Sequence, residues 1–290
     1  MHHSKSLYEK GILKNLNMLT QSQYSNFKFV GRLDHIKTFY SGIKAINFGE
    51  NGSFQINEDG FRVSVEHGKC VQANLYITTS CFSEYHVDGI VNFSLNMNVI
   101  SECLGIFTGI DCSMKMFYKG QGAPLIIIME PQDEDNITTE CSIKTTHHEE
   151  PMDFVLDEDS PSLNVVFIRG PDLAIIFHEL DKSAEELEIT LSPQKPHFKI
   201  DTLGVMQSES SIEVAKTSDM MMLFNCRNIT ASRYKCSQIR MTLKALSSAS
   251  KVAMKTDSSG LLEMHFMIQS DDQAEVYIQF FITPLSDIIL

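Results

Sequence analysis

The stretch SFQINEDGFRVSVEHGKCVQANLYI, Ser53 to Ile77, alternates apolar and polar residues at period two, with breaks at Glu58-Asp59-Gly60 and His67-Gly68. Successive side chains of a strand point to opposite faces, so the pattern specifies half-buried antiparallel strands joined by tight turns. A slip of one residue would turn every apolar side chain to water, which fixes the register. The same texture returns in EELEITLSPQKPHFKIDTLG around Ser192-Pro193, and in GLLEMHFMIQSDDQAEVYIQFFI around Ser270-Asp271-Asp272. Each hairpin needs something apolar against one face only.

Helical spacing is confined to four segments. DHIKTFYSGIKAI places Ile36, Phe39, Tyr40 and Ile43 on one face, and NVISECLGIF does the same with Ile100, Cys103, Leu104 and Phe107. PDLAIIFHEL groups Leu173, Ile176, Phe177 and Leu180 behind Pro171 at its first turn, and SQIRMTLKALSSA groups Ile239, Leu243 and Leu246. Helix, strands, helix, strands therefore occurs once before residue 146 and again after 162. Arg32 and Arg169, each ahead of a helix, lie 137 residues apart. This spacing predicts an internal duplication of whole domains rather than a solenoid. The expected organisation is a flexible leader (1–23), a first domain (24–146), an acidic, proline-containing connector (147–161) and a second domain (162–290). The fold class is α+β.

Composition narrows the class of partner. The chain has 24 basic and 37 acidic side chains, a formal charge of −13, yet Arg227–Lys255 holds seven Lys or Arg and no acid. The spacing puts Arg240, Lys244 and Lys251 on one face of the fourth helix, with Arg233 and Lys235 just before it. Lys37 and Lys44 share the polar face of the first helix, and His178 and Lys182 follow Arg169 along the third. A polyanion is the partner such a concentration suits, and the apolar helix faces are already needed by the sheets, which disfavours a membrane. Trp is absent and the basic face is read as carrying no aromatic stacking group, so contact with duplex phosphates is expected rather than base stacking. No run of about 18 apolar residues occurs. The seven cysteines (70, 81, 103, 112, 141, 226 and 236) contain no CxxC pair and read as reduced thiols of a cytosolic or nuclear protein.

Four phrases then carry a resemblance: FRVSVEHGKCVQANLYI, MFYKGQGAPLIIIME, ELDKSAEELEITLSPQKPHFKIDTLG and NITASRYKCSQIRMTLKAL. In order and spacing they resemble the Rad-one-type subunits of the nine-one-one checkpoint clamp, within the DNA sliding clamps of the proliferating cell nuclear antigen type. The resemblance runs from Tyr24 to Pro284. It implies duplicated clamp domains with antiparallel sheets outside and two helices per domain on the channel side. Three unlike subunits would close a nuclear ring around duplex DNA, loaded by an ATP-driven partner, and repair and checkpoint proteins would dock on its front face. The basic residues named above would then face the channel. Subunit contacts would run along Thr138–Thr145, with Thr138, Cys141, Ile143 and Thr145, and along Ser211–Lys216, with Ile212, Val214 and Lys216. Docking would use Pro151, Met152, Phe154 and Val155 of the connector together with Pro284. Two departures stand out: Ser101, Glu102 and Gly105 replace the lysines that the replicative clamp has on its second helix, and Glu66 replaces an apolar pocket residue.

Enzymatic alternatives find little support in the residues. An exonuclease needs three or four convergent carboxylates, and the nearest acids, Asp133/Asp135 and Asp157/Asp159, sit in charged loops. Cys141, His147 and His148 lack a fourth zinc ligand at a usual spacing, and neither GxSxG nor GxxxxGK[ST] occurs. The expectation is therefore no catalytic residue, metal or cofactor. A homotrimeric replicative clamp is the other alternative, and the weakly charged second helix argues for unlike neighbours instead.

Overall fold

The computed structural model describes residues 25–107, 109–132, 137–204, 209–268 and 276–286. The expected leader, Asp133 and Asp135, the Ser270-Asp271-Asp272 turn and residues 287–290 lie outside them. The chain runs β1 (Phe29–Leu33), α1 (Lys37–Ala45), β2 (Asn51–Asn57), β3 (Gly60–His67), β4 (Val71–Thr78), β5 (Glu84–Val87) and β6 (Val91–Asn96). Next come α2 (Met97–Leu104), β7 (Cys112–Tyr118), β8 (Leu125–Pro131) and β9 (Thr139–Ile143). The second round is β10 (Asn164–Arg169), α3 (Gly170–Glu179), β11 (Ala184–Leu191), β12 (Phe198–Gly204), β13 (Glu209–Val214) and β14 (Met221–Asn225). It closes with β15 (Thr230–Lys235), α4 (Cys236–Met241), α5 (Leu243–Ser248), β16 (Ala249–Thr256), β17 (Leu262–Ile268) and β18 (Val276–Ile282). Strand, helix, five strands, helical segment, three strands thus occurs twice.

Strand pairing repeats as well. One sheet runs β5-β1-β7-β8-β9 and another β13-β12-β11-β15, while β14-β10-β16-β17-β18-β4-β3-β2-β6 form a single nine-stranded sheet. This large sheet is two sheets fused where β18 meets β4, in an antiparallel ladder running from Val276↔Ile77 to Ile282↔Val71. Turn chemistry matches the sequence breaks. Asn57 Oδ1 accepts from the backbone N–H of Asp59 (3.0 Å) and Gly60 (3.2 Å), and Gly60 has φ 150°, where a β-carbon would meet the Ile77 carbonyl oxygen.

Alternation sorts the nine-stranded sheet into two chemically distinct faces. Phe61, Val63 and Val65 on β3, Val71, Ala73, Leu75 and Ile77 on β4, and Val276, Ile278, Phe280 and Ile282 on β18 are buried in the main core. Each such side chain contributes about 1.5–3 kcal/mol over its exposed state. The helices cover this face: α1 packs on β4 and β18, α5 on β16 and β17, and α3 on β10 and β16. Neighbour contacts order the layer as α2, α1, α5, α3. Two expectations change here. The fourth helical segment is broken at Thr242, whose hydroxyl (2.7 Å) and N–H (3.0 Å) both bond Ile239 O, an i−3 partner that tightens the turn. The helix also stops at Ser248, so Lys251 belongs to β16.

The opposite face is polar and covered by the connector. Ser64 Oγ donates to Asn74 Oδ1 (2.6 Å), Asn74 Nδ2 donates to Gln72 Oε1 (3.1 Å), and Tyr76 OH donates across the β4–β18 seam to Gln279 Oε1 (3.0 Å). Gln279 Nε2 donates on to Glu263 Oε1 (2.6 Å), which also bonds His265, with Lys255 Nζ 3.8 Å from Glu263 Oε2. The connector is tied to both ends of this chain of bonds. Met152 N–H donates to Glu66 Oε1 and Gln72 Nε2 donates to Met152 O, each at 2.6 Å, while Glu158 pairs with Lys255 and Phe154 stacks on Phe281.

Glu263 is 3% exposed, and burial pushes its pKa up. The hydrogen bonds from His265 and Gln279 and the attraction of His265 and Lys255 outweigh this and leave the carboxyl below its ordinary value. The unfolded chain therefore binds this proton at a higher pH than the folded chain does. The stabilisation is complete above the ordinary glutamate pKa of about 4.3 and is lost as pH falls through the depressed folded value. Glu263→Gln should flatten the acid limb of the stability–pH curve in that window by up to about 1.4 kcal/mol per pH unit. Urea unfolding at stepped pH checks this; an unchanged slope would show that Glu263 titrates alike in both states.

Candidate nucleic-acid interface and subunit edges

The exposed side of the helix layer is built from the two central helices. On α1, Phe39, Gly42, Ile43 and Ala45 turn inward, which leaves Lys37 and Lys44 outward, with Lys44 Nζ 5.8 Å from the Tyr40 ring centroid. On α5, Ala245 and Leu246 are buried and Lys244 is exposed. Arg240 at the end of α4 is half-buried, and its Nη2 donates to the Asp181 carbonyl oxygen (3.0 Å), so it anchors the α3–β11 turn while keeping its charge on the helix side. His178 and Lys182 are exposed near the end of α3 and just beyond it.

The flanking helices offer less charge. Asn96 caps α2 by accepting from the N–H of Asn98 (3.0 Å) and Val99 (3.1 Å), and the outward residues are then Asn98, Val99 and Glu102. On α3 the exposed Ile175 interrupts the surface, and Arg169 at the N-cap is paired with Asp172 (2.6 Å).

Three expected channel residues lie elsewhere. Arg233 and Lys235 flank the buried Tyr234 on β15, so both point to the face of the four-stranded sheet away from the helices. There Arg233 Nη1 lies 3.7 Å from Glu186 Oε2 and shares a shallow cavity with Lys199 and Asp201. Lys251 alternates with the core residue Val252 and sits on the outer face of the large sheet, with Nζ 4.1 Å from the Phe167 ring centroid. The basic window in the sequence is thus split between two surfaces.

Of the six strands that end a sheet, β9 and β13 carry the expected subunit contacts. Their apolar side chains are already used. Ile143 (β9) and Val214 (β13) are buried in the chain's own core, Cys141 and Ile212 pack against it, and Thr145 Oγ1 donates to Ala123 O (2.8 Å). Thr138, Glu140 and Ser142 on one edge, and Ser211, Glu213 and Lys216 on the other, are exposed. Each edge therefore presents backbone groups among polar side chains. The reduced-thiol expectation fails at one pair: Cys141 on β9 is disulfide-bonded to Cys103 on α2, with Cα atoms 6.6 Å apart. The topology brings these residues together although 38 positions separate them in sequence. Elsewhere burial pushes the Cys112 and Cys226 thiols up to about 11, as expected of inert cysteines.

In the expected docking region, Val155 is 70% exposed beside Phe154, while Pro151 and Pro284 are half-buried. The chain around Pro284 is fixed by Thr283 N–H to Cys70 O (2.9 Å) and Leu285 N–H to Arg233 O (2.7 Å). Glu66, which stands where the resemblance implies an apolar residue, is spent on the connector backbone through Met152 N–H. Sequence reading missed Gln72, Asn74 and Gln279, because polar residues on an alternating strand look solvent-facing whether or not a connector covers them. Asp157 and Asp159 form a local turn, with Asp159 N–H donating to Asp157 Oδ1 (3.1 Å). Among the described residues no group of three His, Cys, Asp or Glu is placed to hold a metal.

Comparison with known proteins agrees with this geometry. The model of the family described as repair protein Rad1/Rec1/Rad17 matches residues 28–268. A Drosophila melanogaster "DNA repair protein Rad1" is 52% identical over 264 residues, covering 91% of this chain and 96% of the relative. The human "Cell cycle checkpoint protein RAD1" is 33% identical over 275 residues, covering 93% and 96%. Among solved structures, the proliferating cellular nuclear antigen of Entamoeba histolytica superposes with a TM-score of 0.72 at 14% identity, over 90% of this chain and all of that one, which establishes a shared sliding-clamp fold. Inward helices, fused sheets and sequence similarity along nearly the whole length converge: the chain belongs to the Rad1/Rec1/Rad17 family of repair proteins.

Proposed function

We propose that this protein is a non-enzymatic subunit of a heterotrimeric sliding clamp that encircles duplex DNA in the nucleus and serves as a platform for checkpoint and repair factors. One observation carries the reading. In the duplicated topology β9 holds the place in the first half that β18 holds in the second, and β13 holds the place of β4. Since β18 pairs antiparallel with β4 inside the chain, the unpaired β9 and β13 are complementary edges of the same kind, one at each end. Such heterologous edges close a ring where the rotation between neighbours closes. The names of the relatives, a DNA repair protein and a cell cycle checkpoint protein, support the biological setting. Unlike neighbours are supported by α2, whose exposed face lacks cations and would depend on other subunits for charge.

The helix layer would form the wall of the channel, with Lys37, Lys44, Arg240 and Lys244 as its central charges and His178 and Lys182 beside them. Lysine contacts to phosphate carry no sequence register, so such a ring holds DNA and still slides. An ATP-driven loader from outside the chain would open the ring. The two halves, 24–146 and 162–290, would be the two clamp domains of the subunit, and Pro151, Met152, Phe154, Val155 and Pro284 would form the docking reach for partners.

Edge pairing is tested with proline. Adjacent residues of a strand point their N–H groups to opposite sides, so of Ser210→Pro and Ser211→Pro one removes a bond to β12 and the other leaves the fold intact but blocks the free edge of β13. By light scattering, wild type mixed with two unlike clamp subunits should give a 1:1:1 ring. The variant of unchanged thermal stability should enter it at least about tenfold less well. A stable homotrimer of the chain alone would overturn the heterotrimer.

Channel charge is tested on the assembled ring. Lys37→Glu, Lys44→Glu and Lys244→Glu should each weaken duplex retention and reduce the log–log salt slope by about 1. Arg233→Glu and Lys251→Glu, on the outer faces, should leave that slope unchanged. A slope that responded to both sets alike would sink the assignment of the helix layer to DNA.

A further inference from the structure

We propose that the cavity of about 320 Å³ between connector residues Glu150–Asp153 and strands β2, β3 and β6 is a peptide-binding site that takes an acidic side chain flanked by a basic one. Arg62 is the central observation. It lines this cavity from the polar face of β3, and its guanidinium donates from Nη2 to Asn74 Oδ1 (3.1 Å) and lies 5.6 Å from the Tyr76 ring centroid. Among the described residues no carboxylate pairs with it. Arg62 is half-buried at the cavity wall, so its charge is directed to a partly desolvated space without an acid to answer it. Its ring and amide neighbours hold the planar fork in place, which is the arrangement that suits a carboxylate.

Two further features point the same way. Arg62 Nε and His148 Nδ1, both on residues lining the cavity, are buried polar atoms without a hydrogen-bond partner. Such atoms call for an occupant with oxygens and N–H groups rather than an apolar one. Glu150 and Asp153 stand at the connector side of the same cavity, so a purely acidic peptide would be repelled there. An acidic residue on Arg62 with a lysine or arginine close by in sequence satisfies both walls. A second cavity of about 500 Å³ lies across His148 and Glu150, where Ile90 is 70% exposed, and it extends the groove toward an apolar anchor. The occupant is a segment of another protein. The site shares Pro151 and Met152 with the docking reach proposed above, and lies on the β2–β3 side of the connector rather than the Phe154–Phe281 side.

Selection of phage-displayed 12-residue peptides against the full chain tests this. Wild type should enrich peptides with an acidic residue one to three positions from a basic one. Synthetic winners, read by fluorescence polarisation, should bind Arg62→Gln about tenfold or more weakly. Asn92→Trp, which fills the cavity mouth without touching the guanidinium, should lose the same peptides, so the outcome does not hang on the fold of one variant. Enrichment of no acidic–basic motif, or winners that bind both variants as tightly as wild type, would overturn the proposal. Loss of thermal stability in Arg62→Gln with peptide binding intact would leave Arg62 a structural residue only and reject the site.

Discussion

The β4–β18 ladder is the constraint from which the rest of the molecule follows. It fuses the two halves through backbone bonds along seven residue pairs, from Val276↔Ile77 to Ile282↔Val71, with an apolar face inward and a hydrogen-bonded polar face outward. A linker alone would leave the halves free to rotate; a continuous sheet does not. The helices α1 and α5, one from each half, then meet on its inner face, and that meeting places Lys37, Lys44 and Lys244 on one surface. Outside, the connector is held by Glu66 and Gln72 near one end and Lys255 near the other, so it is a strap rather than a tether.

The same ladder determines what the free ends can be. An unpaired strand with apolar side chains invites aggregation. Here Ile143 and Val214 are already consumed by the core, and the exposed residues on β9 and β13 include Glu140, Ser142, Ser210, Ser211 and Glu213. For the proposed ring, attraction between subunits would come largely from main-chain bonds, and discrimination between neighbours from the charges that line them. Partner choice in such a ring would then be largely an electrostatic matter.

Much of this was legible in the sequence because alternation and helical spacing are local and strongly periodic. Phe61, Val63 and Val65 announce their own burial, and Asn57 with Gly60 announce their turn. What failed was inference from proximity along the chain to proximity in space. Lys251 stands eleven residues after Arg240, three helical turns in a continuous helix, but the helix breaks at Thr242 and ends at Ser248. Arg233 and Lys235 are two residues apart on a strand whose buried member is Tyr234, and that places both on the far face. Neither break carries a glycine or proline to mark it. Cys103 and Cys141 were unreadable for the opposite reason, since only the folded topology brings α2 against β9.

The corrected charge map changes how the proposed clamp would hold DNA. With Arg233, Lys235 and Lys251 removed from the helix side, the cations concentrate on α1, α4 and α5, while α2 presents Asn98, Val99 and Glu102 and α3 presents Ile175. Each subunit would therefore touch phosphates along one band opposite its β4–β18 seam and leave weakly charged surface toward its neighbours. Phosphate affinity scales with the number of neutralised charges, so a band of three or four cations gives a weak, salt-sensitive hold. Retention by ring closure does not need more. A stronger inner surface would hold phosphates more tightly and slow sliding.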